Sequence, residues 1–437
     1  MSEISPAENK SRTIRVNYMA RVEGEASLAI RLKGDQVRDV RLKIFEPPRL
    51  FEALLKGRHF NETPDITARI CGICPVAYQM TAVHAIERAL GITIDPMVRL
   101  LRRLLYAGEW LESHALHVYL LHAPDFLGYQ DAIEMARADR AAVEAALRIK
   151  KIGNAIMALL GGREIHPVSV TVGGFYKVPA KTGLLTLVED LKWGLDRAVI
   201  NARRIGQFEF SDFEVDYEFV ALSHPTEYPF NEGRLVSNKG LDIDVSEYEQ
   251  NFVESHVKHS NALHSQIRTR GSYQVGALAR VNLNYSKLPD VAKQAAESAG
   301  LRVPCRNPFK SIIARAVEMI FALEEALRIV SLYEPPASPK VEVPVQAATG
   351  CAITEAPRGI NYNRYGFDDN GILQTAVIIP PTSQNQKRIE DDLWKFLPAI
   401  SSLPTDELTR RCEQLVRSYD PCISCATHFL RVNVERE

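Results

Sequence analysis

The chain is predicted to be α+β and predominantly α: a large helical-bundle body with a small N-terminal antiparallel β-meander. Three observations predict this. Residues 13–45, TIRVNYMARVEGEASLAIRLKGDQVRDVRLKIF, show period-two stretches broken at Gly34-Asp35, the pattern of short antiparallel strands. After EPPRL the period changes, and apolar residues recur at i, i+3, i+4 over 75–91, 97–122, 130–160, 184–206 and 309–334, lengths that suit helices. No internal repeat, low-complexity tract or interdomain linker divides the chain.

The expected organisation is a single domain over 1–437, with the meander at 12–46, the helical body at 47–428 and a C-terminal extension at 429–437. The segment PMVRLLRRLLYAGEWLESHALHVYLLH is apolar on more than one face, as a central bundle helix must be. Pro and Gly punctuate GGREIHPVSVTVGGFYKVP at 161–179 and EAPRGINYNRYGFDDNG at 355–371, so both are expected to be loops.

Composition narrows the function classes. With 437 residues, 46% apolar and 24% charged, the chain can bury a large core. A net charge near −1 gives no general attraction to nucleic acid or an anionic membrane. No window approaches 18 uninterrupted apolar residues, and MSEISPAENKSRTIR lacks an apolar signal-peptide core. Seven cysteines make a poor disulfide framework, so the cytoplasm is the expected compartment.

Four of those cysteines carry the chemistry. ARICGICPVAY holds Cys71 and Cys74, and DPCISCATH holds Cys422 and Cys425. A CxxC pair puts two sulfurs on one side of a turn, where they can share a metal or form a disulfide. Structural zinc modules keep their pairs about 15–20 residues apart, whereas here the pairs would tie the chain's two ends across its core. Zinc, an iron–sulfur cluster, redox dithiols and a catalytic metal centre all remain open on spacing alone.

Charge narrows the choice. Holding one thiolate at pH 7 costs about 2 kcal/mol before desolvation, so four need strong cationic compensation. One divalent ion leaves two negative charges; two divalent ions bring the site to neutrality. Thiolates suit zinc, iron, copper or nickel and not magnesium. Arg69 could add positive charge or form a surface ion pair. Cys305, Cys351 and Cys412 are single and scattered, as packed thiols are. That leaves too few thiols for a second four-cysteine cluster.

RICGICP and DPCISCATH, in this order and at these ends, resemble the two signatures of nickel–iron hydrogenase large subunits. Supporting segments run through the chain: RVEGE at 21–25, EPPRLFEALLKGR at 46–58, SHALHVYLLHAPDFLG at 113–128, GGREIHP at 161–167, YQVGALAR at 273–280 and TEAPRG at 354–359. The resemblance implies that Cys71 and Cys422 are terminal nickel ligands, and that Cys74 and Cys425 bridge nickel to an iron carrying carbon monoxide and cyanide. Arg358 would lean over this pair, and Pro380 and Thr382 would line the diatomic ligands. Glu23 would be the proton gate, with Cys422 as first base. Glu52, the carbonyl of Val377 and His428 would hold magnesium. The short tail after His428 resembles the extension that a protease removes from family members once nickel is loaded, and is either such an extension or one this chain keeps.

The implied reaction is reversible heterolytic cleavage of hydrogen. Electrons would leave through the iron–sulfur clusters of a small-subunit partner. CPVAYQM and SHALH look most like the cytosolic NAD(P)-linked group, the sulfhydrogenases, which implies further iron–sulfur and flavin/NAD(P) diaphorase subunits carrying FAD and NAD(P). This chain has no G-x-G-x-x-G and no P-loop. It departs from many family members at Glu25 and Tyr78, where they have His. The alternatives are a hydrogen-sensing subunit and a complex-I-like structural subunit with a four-cysteine zinc site. His84, His114, His117 and His166 are expected to be structural.

Overall fold

The computed structural model describes residues 11–46 and 50–427. Strands Ser11–Val16, Ala26–Lys33 and Gln36–Ile44 pair in sequence order and antiparallel, turning at Gly34-Asp35 as the period-two pattern predicts. Ala26, Leu28, Ile30 and Leu32 face inward while Arg31 and Lys33 face water. The buried face packs on the Pro381–Ile400 and Thr405–Ser418 helices, so the meander joins the chain's C-terminal part.

The body is a bundle centred on Pro96–Ala115, which packs against Arg140–Gly161 and Ser311–Leu332; Val188–Ile205 lies on the last of these. Asp95 caps Pro96–Ala115 by accepting the Met97 N–H at 2.7 Å, and Pro96 fits the first position because its missing N–H has no intrahelical partner there. This helix runs on through a π-helical turn at Leu116–His122, so the periodicity over 97–122 marks one continuous element. The pattern over 130–160 instead divides at Asp139, which caps Arg140–Gly161.

The body holds more sheet than its pattern predicts. The 355–371 stretch, expected as a loop, is a correction: Ala348–Ala356, Gly359–Phe367 and Leu373–Ile379 form a three-stranded antiparallel sheet. Its alternation is hidden because the strands bury polar side chains. Asn361 donates to Thr81 Oγ1 at 2.9 Å, and Tyr106 donates to Thr354 Oγ1 at 2.6 Å. Further strands lie at Val220–Ser223, Arg234–Ser237 and Asp242–Ile243, and in a hairpin of Phe252–Val257 with Ser260–Ile267. The 161–179 stretch is irregular apart from two-residue strands at Val170–Thr171 and Gly174–Phe175.

One buried ion network pins the sheet to the bundle. Arg280, fully enclosed, forks onto Glu318 at 2.7 and 2.8 Å and reaches Glu355 at 3.0 Å. It also donates to the carbonyls of Ala356 and Pro357 at 2.8 and 2.9 Å, and its guanidinium lies 4.3 Å over the Trp110 ring. Burial pushes the Glu318 carboxyl up, but Arg280 outweighs it and holds the group down at about 2. Arg280→Met would leave two carboxylates buried without their cation, which costs about 3–5 kcal/mol. Chemical denaturation should show that loss, and Arg280→Lys should not restore it, because a single ammonium cannot reproduce the fork.

Candidate metal centre

The first CxxC follows a 3-10 turn at Ala68–Ile70, after which Cys71 is extended and Cys74 stands at the N-cap of Pro75–Leu90. Pro75 at the first helical position fixes where that helix starts. The second CxxC follows the Thr405–Ser418 helix. Asp420 takes a left-handed conformation, φ 52°, and Cys425 sits in a 3-10 turn at Ser424–Ala426. Glu23 and Cys422 form a parallel backbone bridge, with the Ile423 N–H donating to the Glu23 carbonyl at 2.9 Å.

All four thiols are buried, and their sulfurs lie within 4.8 Å of one another. Cys71 Sγ faces Cys422 Sγ at 3.7 Å and Cys74 Sγ faces Cys425 Sγ at 3.8 Å, while the sulfurs within each CxxC are 2.7 Å apart. Two thiolates on one tetrahedral ion with bonds of ~2.3 Å stand ~3.8 Å apart, which the spacing between the pairs matches, while the sulfurs within each CxxC are closer than such an ion would hold them. Burial opposes ionisation at every sulfur. At Cys71 it is outweighed by hydrogen bonds from the other thiols and by the Arg358 charge, so this thiol is held well below its usual value. The Ile73 and Cys74 N–H groups, at 3.4 and 3.0 Å, also point at it. Burial drives Cys74, Cys422 and Cys425 up. The protein alone therefore supports one thiolate well, and loading metal would displace the remaining protons.

The surrounding groups come from both ends and the middle. Glu23, half-buried, puts Oε2 3.1 Å from Cys422 Sγ and accepts the Ser424 N–H at 3.1 Å. Thr382, beside Pro380 at the start of Pro381–Ile400, accepts the Cys422 N–H at 3.0 Å. Arg358 donates from Nε to the Asp420 carbonyl at 2.9 Å and from Nη2 to its carboxylate at 3.2 Å. Its Nη1 is buried with no partner among the described residues. Burial works against the Arg358 charge, but Asp420 and the sulfurs outweigh it.

Arg358 is set by a close backbone approach. Gly276 has φ 108°, and a Cβ there would meet the Arg358 carbonyl oxygen at 2.9 Å; at Gly359, φ 134°, it would meet Val275 Cγ2 at 2.4 Å. Only glycine fits both places. Two important acids carry no sequence signal. Glu109, from the central helix, accepts the Val76 N–H at 2.6 Å and the Ala77 N–H at 3.2 Å, anchoring the turn after Cys74. Asp420 holds Arg358 and lies 3.9 Å from His117 Nε2.

Glu52, expected to share a second site with the Val377 carbonyl, accepts through Oε1 the N–H of Ile378, the residue after Val377, at 2.8 Å. His428 and the 429–437 extension lie outside the described residues. Glu254 is a further acid at this place, missed in the sequence; burial and then the Glu52 charge push its carboxyl up to about 8. Arg69 is a surface ion pair with Asp65 at 3.4 Å. Tyr78 is buried, and burial together with the sulfurs' charge pushes its phenol up. His114 bonds Glu318 at 2.9 Å, and His166 bonds the Ala68 carbonyl at 2.7 Å. Cys305, Cys351 and Cys412 are buried packed thiols outside the cluster.

The family model for nickel-dependent hydrogenases matches residues 49–147 and 266–428. This chain belongs to that family. Sulfhydrogenase 1 subunit alpha of Pyrococcus furiosus is 33% identical over 96% of this chain and 98% of that subunit. Sulfhydrogenase 2 subunit alpha of the same organism is 34% identical over 96% of this chain and all of that subunit. Among solved structures, an NAD+-reducing [NiFe]-hydrogenase in its H2-reduced state superposes with a TM-score of 0.86 at 25% identity, covering 95% of this chain and 99% of the other. A Ni-Fe-Se hydrogenase from D. vulgaris Hildenborough shares the fold, with a TM-score of 0.79, 23% identity, and coverage of 96% of this chain and all of the other.

The hydrogenase is thus an oxidoreductase acting on hydrogen, and its soft, compact, buried donor set fits nickel with iron. Arg358→Lys keeps the charge but removes the fork on Asp420. It should lower hydrogen oxidation about a hundredfold while nickel and iron content, measured by mass spectrometry, stay unchanged. Wild-type turnover in that variant would leave Arg358 a purely structural ion pair.

Proposed function

We propose that this hydrogenase is the catalytic subunit of a nickel–iron enzyme that cleaves hydrogen reversibly and heterolytically, with NAD(P) as the eventual partner in electron exchange. One observation carries it: Glu23 Oε2 stands 3.1 Å from the sulfur of Cys422, which gives a metal-facing thiol an immediate proton acceptor. In this assignment Cys71 and Cys422 would hold nickel, and Cys74 and Cys425 would hold nickel and iron together. The facing of Cys71 on Cys422 and of Cys74 on Cys425 supports a site shared by the two CxxC segments. When bound, the metal pair supplies Lewis acidity and a store for electrons.

The chain's own groups handle the proton. Cys422 Sγ takes it first, and Glu23 Oε2 receives it and passes it toward the surface, since the carboxyl is only half-buried. Glu23 is fixed in place because its carbonyl and carboxylate accept the N–H groups of Ile423 and Ser424. The unpartnered Nη1 of Arg358 is available to a cyanide on iron or to the reacting hydrogen. Pro380 and Thr382, beside Cys422, would line the carbon monoxide and cyanide of a bound centre. Glu52, the Val377 carbonyl and His428 would hold magnesium; the burial of Glu52 and the proximity of Glu254 favour a cation there.

Electrons leave for a partner. The four clustered cysteines account for this chain's grouped thiols, so iron–sulfur clusters belong to a small subunit, and FAD and NAD(P) to diaphorase subunits. The sulfhydrogenase and NAD+-reducing relatives support this assignment. Among the described residues no helix is long and apolar enough to cross a membrane, and we place the complex in the cytoplasm.

Glu23→Gln keeps the shape and removes the proton carrier. Hydrogen–deuterium exchange should fall by about 10²–10⁴-fold at unchanged nickel and iron content; full exchange would sink the relay. Cys422→Ser should abolish nickel retention in chains matured in their own host. Nickel retained at wild-type stoichiometry would remove Cys422 from the ligand set.

A further inference from the structure

A second group of metal-binding side chains lies apart from the thiols. His259, His264 and Glu390 each offer a ligand atom, and these atoms all lie within 4.8 Å of one another. They come from three places. His259 is in the turn between Phe252–Val257 and Ser260–Ile267, His264 is in the second of those strands, and Glu390 is on the Pro381–Ile400 helix.

Each is aimed inward for a structural reason. The strand alternates from Ser260 to His264, burying Ser260, Ala262 and His264 in turn, as a period of two requires. His264 is therefore buried on the face of Ser260 and Ala262, toward the meander, while its neighbour Ser265 turns to Glu254. Glu390 accepts the Leu42 N–H from the meander at 2.9 Å, and His259 Nε2 lies 2.7 Å from the same oxygen. The two imidazoles stand 5.7 Å apart at 78°, so both can point at one centre without stacking.

A His259–Glu390 ion pair beside a packed histidine explains part of this, but not His264. That ring is 2% exposed, and its Nε2 has no hydrogen-bond partner among the described residues. Leaving a buried polar atom unmade costs about 1–3 kcal/mol, and an ion or a water at its lone pair removes the cost. We propose that His259, His264 and Glu390 bind a divalent transition-metal ion of the zinc, cobalt or nickel class.

Two imidazoles and a carboxylate suit these ions, and three protein ligands leave a position for water. The Leu42 N–H orients the carboxylate, as outer partners of metal ligands do. The Lys387 ammonium nearby is paired with Asp391, so it does not oppose a cation unchecked. His259 is partly exposed and sits in a turn, which gives the ion an entry and lets His259 part from Glu390 to admit it. A bound ion would cross-link the hairpin, the helix and, through Leu42, the meander.

Zinc alone is the probe, added to the intact, matured complex, whose thiols already hold their own metals. The wild type should take up a single extra zinc per chain, with an X-ray absorption edge showing nitrogen and oxygen neighbours only. His264→Leu should abolish this uptake, and His259→Asn, in case the first variant folds poorly, should weaken it about tenfold or more. Sulfur around the zinc, equal uptake in a folded variant, or no uptake by the wild type would each overturn the site; the last would leave a water at His264. Hydrogen turnover should be unchanged in both variants.

Discussion

Four sulfurs from opposite ends of the chain must be brought out of water and held within a few ångströms, although burial opposes the charge that binding metal requires. Much of the surrounding structure is built around that conflict. The two CxxC segments are placed by devices that leave no freedom: a helix start at Pro75 anchored by Glu109, and a left-handed Asp420 followed by proline. Cys71 then collects the available positive ends, from two backbone N–H groups, neighbouring thiols and Arg358. This stabilises one thiolate strongly and leaves the others dependent on metal.

Arg358 in turn depends on Arg280. By gripping the carbonyls of Ala356 and Pro357, Arg280 fixes the two residues before Arg358, and the Gly276–Gly359 contact fixes the next. Arg280 remains charged in the core because Glu318 and Glu355 surround it, while Trp110 covers its face. The guanidinium near the sulfurs is therefore positioned by a second one that never reaches them. Removing either acid would propagate along the same path, since energy stored in a buried network is shared among its members.

The thiols, the meander and the main helices were legible in the sequence because each is a local signal: a CxxC spacing, a period of two, a period near 3.6. Glu23, Arg358 and Thr382 were legible only through the family resemblance, and the fold brings all three to the Asp420–Cys422 segment. Glu109, Asp420 and Glu254 were not legible, because an acid's role depends on which distant backbone or charge it meets. The 348–379 sheet was hidden for a related reason. Its buried positions carry Asn361, Asn363 and Thr354, whose polarity breaks the alternation, although the Asn361 and Asn363 amide nitrogens and the Thr354 hydroxyl find partners in Thr81, Tyr365 and Tyr106. His264 was not legible as a ligand, because His259 and Glu390 meet it only in the folded chain.

The position of the meander now has a chemical consequence. Glu23 lies between its first two strands, and its backbone and side chain are both bonded to the residues around Cys425. The meander itself rests on the Pro381–Ile400 helix through Glu390 and Gln386, which bind the N–H and the carbonyl of Leu42. That same helix begins with Thr382 on the Cys422 N–H. One helix therefore positions both the thiol and the sheet that leads to Glu23, its proposed proton acceptor. The 3.1 Å gap between Cys422 and Glu23 thus depends on hydrogen bonds to one helix at both ends, and for the proposed proton transfer small displacements at such a gap would cost rate steeply.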